Sequence, residues 1–301
     1  MKFGALTTIW LLALYGCSAP ETASRETYSK PETQKLWAET CDEWDEWDKP
    51  SPAFQIHANT YYVGTCGISS ILIVSEKGHI LIDGGTEAGA MVISENISSL
   101  GYKLSDVKIL LHSHEHFDHV AGLAKLQRLS GAKLYASKAA RPVLLTGKSI
   151  PSDPQHGMHE PFPPSNVSKT LQDDEVVELG DIFLRAIETP GHTEGALSWQ
   201  WKSCNAESCE WIVYADSLSP IGRDDYKFSD HLNYLKNYKF GLSRLRQLDC
   251  TLIVTPHPSA SKMMKRLQNE QLSSSDGCEN YSDNISQRLQ KRIKKEKSQS
   301  P

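Results

Sequence analysis

Histidine and acidic side chains are crowded into one stretch of eight residues. The segment His112–His119 reads His-Ser-His-Glu-His-Phe-Asp-His and directly follows the apolar run Val107–Leu111. Packing gives no reason to collect four imidazoles and an aspartate at the end of a strand, whereas loops that follow strands carry function. Because imidazole nitrogens and carboxylate oxygens suit Zn²⁺, this segment predicts a metal site.

The spacing within the segment indicates ligands for two neighbouring metal ions. His114 and His116 are two residues apart in an extended stretch, so both rings point the same way. Asp118 and His119 are adjacent where a helix is expected to begin, and the turn of the chain aims them to another side.

Two later histidines complete the ligand set, and each lies in a tight turn after a predicted strand. His192 lies in Thr-Pro-Gly-His-Thr, after the strand predicted at 182–187. His257 lies in Thr-Pro-His-Pro, after the strand predicted at 252–254. Either motif alone is a weak signal, but together with the cluster the two histidines supply the remaining ligands that a two-metal site needs.

The hydrophobic pattern alternates between strands and helices from residue 55 onward. Apolar stretches predict strands at 61–63, 70–74, 79–83, 107–111, 133–136, 175–179, 182–187, 196–201, 211–214 and 252–255. Helical spacing predicts helices at 87–100, 119–129, 138–145, 231–248 and 259–272, and a basic helix with a frayed end from 285.

A long loop is predicted between residues 147 and 165, which include five prolines and two histidines. Long loops in compact domains are commonly functional. We therefore expect this loop to form one wall of a substrate groove beside the metal site. Its candidate wall residues are Gln155, His156 and His159. Trp44 and Trp47 are assigned to packing, with a place in the lining of the cleft as the alternative.

Taken together, these motifs resemble the metallo-β-lactamase superfamily. His-x-His-x-Asp-His with a downstream Gly-His-Thr is the signature of that superfamily, and it is present here at 114–119 and 191–193. The segments 61–65, 192–201, 214–220 and 255–259 resemble those of subclass B3. The resemblance covers residues 44–272 and implies a single α/β domain, a four-layer αβ/βα sandwich with the metal ions at one edge.

The resemblance also implies two zinc ions and the residues that hold them. The first zinc would be held by His114, His116 and His192, and the second by Asp118, His119 and His257. Asp118 is also the implied catalytic residue, which orients the nucleophile. The implied substrate-binding residues are Ser217 and Ser219, for which turn capping is an equal alternative. His112 has no counterpart in the family and is assigned a structural role.

The implied activity is zinc-dependent hydrolysis of the β-lactam amide bond by water that the metal ions activate. Penicillins, cephalosporins and carbapenems are the expected substrates, and antibiotic resistance the expected outcome. The alternative is a dinuclear zinc lactonase or thioesterase of the same superfamily. Those enzymes bridge the metals with an aspartate at about the place of Asp216, which makes Asp216 the ambiguous residue. A zinc-binding surface lipoprotein without activity is the non-enzyme alternative.

The cysteines predict a disulfide framework. The chain has seven, and setting Cys17 aside leaves six, which allow fifteen pairings. None form a Cys-x-x-Cys pair, so a cysteine-rich zinc site is not expected. Pairing of nearest neighbours gives Cys41–Cys66, Cys204–Cys209 and Cys250–Cys278, and the family's disulfide pattern suits these pairs.

The N-terminus predicts export. Lys2 is followed by a short apolar run and by small residues around Cys17, which is typical of a secretory signal. Acylation at Cys17 after a lipobox would anchor the protein to the outer membrane, and cleavage after Ala19 would release it into the periplasm. We predict a signal at 1–17, a linker at 18–40, the catalytic domain at 41–280 and a basic helix or tail at 281–301.

The charge distribution argues against nucleic acid as a partner. The net charge is −5, and residues 288–301 hold six basic side chains and one acidic side chain, so the remainder carries −10. An acidic body is a poor ligand for phosphates. The resemblance implies instead a small-molecule β-lactam as the partner, and we expect a monomer.

Overall fold

Two β-sheets pack face to face in the computed structural model, which describes Met1 and residues 30–298. The first sheet has seven strands that pair in chain order: β1 (Phe54–His57), β2 (Thr60–Tyr62), β3 (Ile71–Ser75), β4 (Gly78–Ile82), β5 (Val107–Leu111), β6 (Lys133–Ser137) and β7 (Val167–Leu171). The second has five, with order β12-β11-β10-β9-β8: β8 (Val176–Leu179), β9 (Ile182–Glu188), β10 (Leu197–Cys204), β11 (Cys209–Tyr214) and β12 (Leu252–Val254).

Helices cover the outer faces of the two sheets, and two of them, the first and the seventh, pack instead against the core between the sheets. They are α1 (Lys30–Thr40), α2 (Gly89–Ser99), α3 (Phe117–Val120), α4 (Leu123–Ser130), α5 (Arg141–Thr146), α6 (Leu232–Arg246), α7 (Met263–Gln268) and α8 (Gly277–Ser298). The apolar sides of α2, α4 and α5 pack on the first sheet, and those of α6 and α8 pack on the second. The predicted four-layer sandwich is confirmed.

The alternation of side chains along β3 builds two cores at once. Ile71 and Ile73 face the core between the sheets, whereas Leu72 faces the helices outside. All three are fully buried, because this sheet is covered on both faces. The continuous apolar runs of the sequence are therefore inner strands, and the loops that follow β5, β9, β11 and β12 carry the polar motifs.

The predicted linker at 18–40 is wrong at its C-terminal end. Residues 30–40 form α1, in which Trp37 is only 1% exposed. The Trp37 ring packs edge-on against Phe54 at 5.9 Å and Tyr62 at 5.5 Å. Burial of this indole outweighs the polar composition of the helix, which had suggested a linker.

The C-terminal segment is part of the domain rather than a frayed tail. Helix α8 begins at Gly277, before the predicted boundary at 280, and is helical through Ser298. Tyr281, Ile285 and Leu289, spaced four residues apart, bury one apolar stripe against the second sheet and α6. The predicted helix at 259–272 is also broken, because Lys262 adopts a left-handed backbone with φ of 55°.

Three disulfides are present, in the nearest-neighbour pairing: Cys41–Cys66, Cys204–Cys209 and Cys250–Cys278. They join the end of α1 to the loop after β2, clip the β10–β11 hairpin, and join the approach to β12 to the start of α8. The predicted signal segment, Cys17 and the first part of the linker lie outside the described residues. Within residues 30–298, no helix is both long enough and apolar enough to span a bilayer.

Trp37→Ala tests whether α1 is integral to the fold. Removing this indole from the core is expected to lower the free energy of unfolding by about 3–5 kcal/mol, measured by denaturant titration. The control is Leu36→Ala on the same helix, where the side chain is 43% exposed and the expected loss is within about 0.5 kcal/mol. Equal stabilities for the two variants would contradict the assignment of α1 to the core.

Candidate metal centre

The structure brings all six predicted metal ligands into one depression at the edge of the two sheets. Five of them are at most 7% exposed: His114, His116, Asp118, His119 and His192. The sixth, His257, has a side chain that is 21% exposed. Single ligand atoms of His114, His116 and His192 lie within 4.8 Å of one another, and so do those of His114, Asp118 and His119.

The backbone turns between the two ligand groups as the spacing predicts. His116 has the extended backbone of a helix N-cap, with φ of −81° and ψ of 153°, and α3 begins at Phe117. Asp118 and His119 therefore lie in the first helical turn, beyond the extended residues that carry His114 and His116.

Buried contacts hold the two later turns against this segment. The Glu115 carboxylate accepts hydrogen bonds from Thr193 Oγ1 at 2.7 Å and from the Gly195 amide at 3.0 Å, which places the turn of His192. The turn of His257 is held to the first sheet by Ser69, whose hydroxyl donates to the Thr255 carbonyl at 2.8 Å.

The first ligand group has nitrogens that face each other at short range, with the Gln155 amide 3.3 Å from His192 Nε2 and 3.5 Å from His116 Nδ1. His116 Nδ1 and His192 Nε2 are 3.1 Å apart. His114 Nε2 is buried and has no hydrogen-bond partner. In the neutral state these nitrogens carry lone pairs, so a cation between the rings satisfies all three. The residues therefore fit a zinc ion.

The second ligand group is arranged around the Asp118 carboxylate. Its Oδ2 lies 3.0 Å from His119 Nε2 and 3.2 Å from His257 Nε2. One carboxylate oxygen and two imidazole nitrogens are a donor set that zinc accepts. The two groups share the His112–His119 segment, so two ions would be close neighbours.

Four of the five ligand histidines present their other ring nitrogen to an outer partner, and the fifth, His119, faces Asp83 beyond hydrogen-bond distance. His114 Nδ1 lies 2.8 Å from Asp216 Oδ1, and His192 Nδ1 lies 2.8 Å from the Ser219 carbonyl. The three remaining contacts are His116 Nε2 to Asp153 at 3.0 Å, His257 Nδ1 to the Gly67 carbonyl at 3.3 Å and His119 Nδ1 to Asp83 at 3.7 Å. Such partners fix the ring orientation and leave the other nitrogen free for a metal.

The electrostatics favour the metal-binding protonation states of His114, His192 and Asp118, whereas Asp153 and Asp118 raise the pKa of His116 and of His119 against the effect of burial. Burial and the neighbouring imidazoles hold the pKa of His114 well below its usual value, and burial lowers that of His192 to about 3. Burial alone would raise the pKa of Asp118, but its attraction to His119 and its hydrogen bonds take it well below the usual value. Neutral imidazoles and an ionised carboxylate are the forms that bind metal.

Asp216, the residue that separates the two enzyme hypotheses, lies behind the ligands. Its Oδ1 contacts His114 Nδ1, and its Oδ2 accepts a hydrogen bond from the Leu218 amide at 3.0 Å. It is fully buried, and this burial raises its pKa to about 7. Both oxygens contact protein groups, so Asp216 is placed to orient the ring of His114.

His112 has the structural role predicted for it. Its ring is fully buried, and Nε2 accepts a hydrogen bond from the Ser137 amide at 3.1 Å. Burial lowers its pKa to about 3, so the ring is neutral. His112 therefore connects β5 to β6 and does not belong to the metal centre.

A cleft of about 360 Å³ opens above the ligands. The Gln155 and His159 side chains from the 147–165 loop line it, as do Ser217 and Ser219. His156 instead contacts Ser149 within the loop at 3.0 Å. The Ser217 hydroxyl is buried without a hydrogen-bond partner, which leaves it available to a bound molecule.

The assignment of Trp44 and Trp47 to packing is wrong. Both line the cleft, with 65% and 37% of their surfaces exposed, and their rings lie 6.1 Å and 6.3 Å from that of His257. They give the cleft an apolar wall beside the second ligand group.

Two carboxylates that contact the ligand histidines from outside the site were not predicted from the sequence. Asp83 follows β4, has φ of 64°, and accepts hydrogen bonds from the Ser113 amide at 2.6 Å and the Tyr214 hydroxyl at 2.7 Å. Its Asp-Gly-Gly motif after a buried strand was a usable signal. Asp153 lies in the long loop with no flanking motif, so only the fold reveals it.

Asp153→Asn tests the outer contact to His116. Losing the carboxylate should weaken zinc binding by about 10–100-fold, because the imidazole loses the partner that fixes its orientation. The measurement is zinc affinity by competition with a chromogenic chelator. Glu160→Gln, an exposed carboxylate on the same loop, is the matched control and should bind zinc as the unchanged protein does. An unchanged affinity for Asp153→Asn would show that the contact does not support the metal.

Comparisons with known proteins agree with this geometry. A family model described as the metallo-beta-lactamase superfamily matches residues 63–206. The solved structure of MIM-2 metallo-beta-lactamase is 51% identical, with a TM-score of 0.85, over 88% of this chain and 98% of that one. MEM-A1, a subclass B3 metallo-beta-lactamase from a soil metagenome library, is 37% identical, with a TM-score of 0.81, over 85% and 100%.

Curated sequence relatives are more distant. The hydroxyacylglutathione hydrolase of Rhodopseudomonas palustris is 27% identical over 152 residues, which are 48% of this chain and 49% of that protein. The chain thus spans about half the length of the curated relatives it matches. The much higher identity and near-complete coverage of the solved structures carry the assignment: this chain belongs to the metallo-β-lactamase superfamily and is similar to its B3 members.

Proposed function

We propose that this protein hydrolyses the amide bond of β-lactams, with penicillins, cephalosporins and carbapenems as substrates and antibiotic resistance as the outcome. The observation that carries the proposal is the position of Asp216, which is held behind His114 and leaves a ligand set of five histidines and Asp118. The likeness to solved metallo-β-lactamases over almost their whole length supports the same substrate class.

Two zinc ions fit the residues of the site, one for each ligand group. Zinc supplies, when bound, a Lewis acid that polarises a carbonyl oxygen and lowers the pKa of a coordinated water towards 7. Asp118 is ionised and orients the attacking water. The Ser217 hydroxyl has a free donor facing the cleft, and it hydrogen-bonds an oxygen of the substrate. Trp44 and Trp47 shield one side of the cleft from water.

A thioesterase is the second candidate, because the curated relatives are hydroxyacylglutathione hydrolases. A dinuclear lactonase belongs to the same class of alternatives. Both hypotheses require a metal-bridging aspartate at about the place of Asp216, and both oxygens of Asp216 already contact protein groups. The geometry therefore favours the β-lactamase.

We also propose that the protein acts in the periplasm as a monomer. The three disulfides support an oxidising compartment. The choice between acylation at Cys17 and release after cleavage concerns residues that the structure does not describe, and mass spectrometry of the mature N-terminus would decide it.

Turnover of nitrocefin and of a carbapenem, measured beside S-lactoylglutathione and a lactone, tests the proposed function. We expect β-lactam hydrolysis that a chelator abolishes and zinc restores, because the ligand set requires metal. Serine-directed β-lactamase inhibitors should have no effect. Turnover of the thioester or lactone without β-lactam hydrolysis would overturn the proposal in favour of the second candidate.

His192→Ala tests the ligand assignment itself. The variant should retain about one zinc ion per chain and lose at least about 100-fold in β-lactam turnover, more than an outer partner contributes. Zinc content is measured by mass spectrometry of the dialysed protein. His231→Ala, an exposed histidine at the start of α6, is the control and should keep two zinc ions and full activity. Full activity in His192→Ala would show that the ligand set is wrong.

A further inference from the structure

A cationic side chain from the C-terminal helix reaches the rim of the catalytic cleft. Arg288 of α8 lines the same cavity as Ser217 and Ser219 and the ligands His116 and His257. Among the described residues that line this cavity, Arg288 is the single lysine or arginine. In the sequence, Arg288 is one of six basic residues near the C-terminus and carries no motif of its own.

The helix holds Arg288 in place through contacts on the same face. Tyr281 donates its hydroxyl hydrogen to the Ser217 carbonyl at 2.7 Å, which joins α8 to the turn that lines the cleft. Arg288 is seven residues further along, two helical turns and about 10 Å away on the same side. The buried neighbours Ile285 and Leu289 anchor this part of the helix. The guanidinium is therefore carried by a rigid element next to the cleft.

The guanidinium charge is not committed to a protein carboxylate. No carboxylate oxygen within residues 30–298 lies in ion-pair distance of Arg288, whereas Arg292, one turn further, pairs with Glu296 at 2.7 Å. The two carboxylates that line the cleft have other partners. Asp45 pairs with Lys49 at 2.7 Å, and Asp118 contacts His119 and His257.

Donor groups thus face this end of the cleft with no acceptor assigned to them. The Ser217 hydroxyl is buried and unpartnered, and Arg288 offers the planar pair of N–H groups that matches a carboxylate. We propose that Arg288 binds a carboxylate of the substrate and makes the enzyme selective for anionic acyl substrates. This inference rests on the proposed function, since it names a feature of the substrate opened at the same site.

The test compares a cephalosporin that has a free carboxylate with its methyl ester. In Arg288→Gln we expect the KM for the acid to rise roughly tenfold, as for the loss of one hydrogen bond to a charged group. The KM for the ester and the kcat for both substrates should stay unchanged. Arg288→Lys should recover only part of the loss, because a lysine lacks the fork of two donors.

Lys295→Gln is the matched control, since it removes one positive charge from the exposed side of the same helix without lining the cleft. Zinc content and thermal unfolding of every variant are measured alongside the kinetics and should match those of the unchanged protein. An equal KM rise in Lys295→Gln, or equal losses for acid and ester in Arg288→Gln, would overturn the role of Arg288.

Failure of the proposed function gives a different result. If the unchanged protein opens neither the acid nor the ester, β-lactam hydrolysis has failed rather than the role of Arg288. The same variants are then compared on S-lactoylglutathione and on its diethyl ester, in which the carboxylates are blocked. A selective rise in KM for the free thioester supports Arg288 as the anion-binding residue, and its absence refutes that role.

Discussion

Burial of several imidazoles against one another is the constraint on which this structure depends. Burial and mutual repulsion make protonation of His114 costly, so the ring is neutral and presents a lone pair. A lone pair with no donor inside a protein is as unfavourable as any unsatisfied buried polar atom. A cation removes this cost, and the outer contacts of the rings decide which nitrogen faces it. A bound cation would thus stabilise the site.

The sandwich places these imidazoles together by bringing distant segments of the chain to one edge of the two sheets. The loops after β5 and β9 come from different sheets, and Glu115 joins them through two hydrogen bonds to the turn that carries His192. The loop after β12 is held to the first sheet by Ser69 just before β3, whose hydroxyl donates to the Thr255 carbonyl. Because rigid strands carry these turns, side chains separated by more than a hundred residues hold their positions to the accuracy that a metal requires.

Residues of the site could be predicted from the sequence where their types and spacing are distinctive, and not where only the fold brings them together. His114 to His119 were found because their types and spacing are rare, and the inner strands because their apolar runs are long. Asp153 and Arg288 were missed because each is an ordinary polar residue in its local context, and only the fold brings it to the cleft. Helix α1 was missed for a related reason, since one buried indole, Trp37, outweighs a polar composition.

The same limit explains why ligand residues alone do not separate a β-lactamase from a thioesterase of this fold. Both place histidines and an aspartate at corresponding motifs, and the sequence shows Asp216 without showing where its carboxylate points. In this chain one oxygen accepts a hydrogen bond from the Leu218 amide and the other contacts His114 Nδ1, so the carboxylate supports a ligand from behind. The orientation of this one buried side chain, which the turn at 216–219 fixes through the Leu218 amide, is therefore the feature on which the proposed function depends.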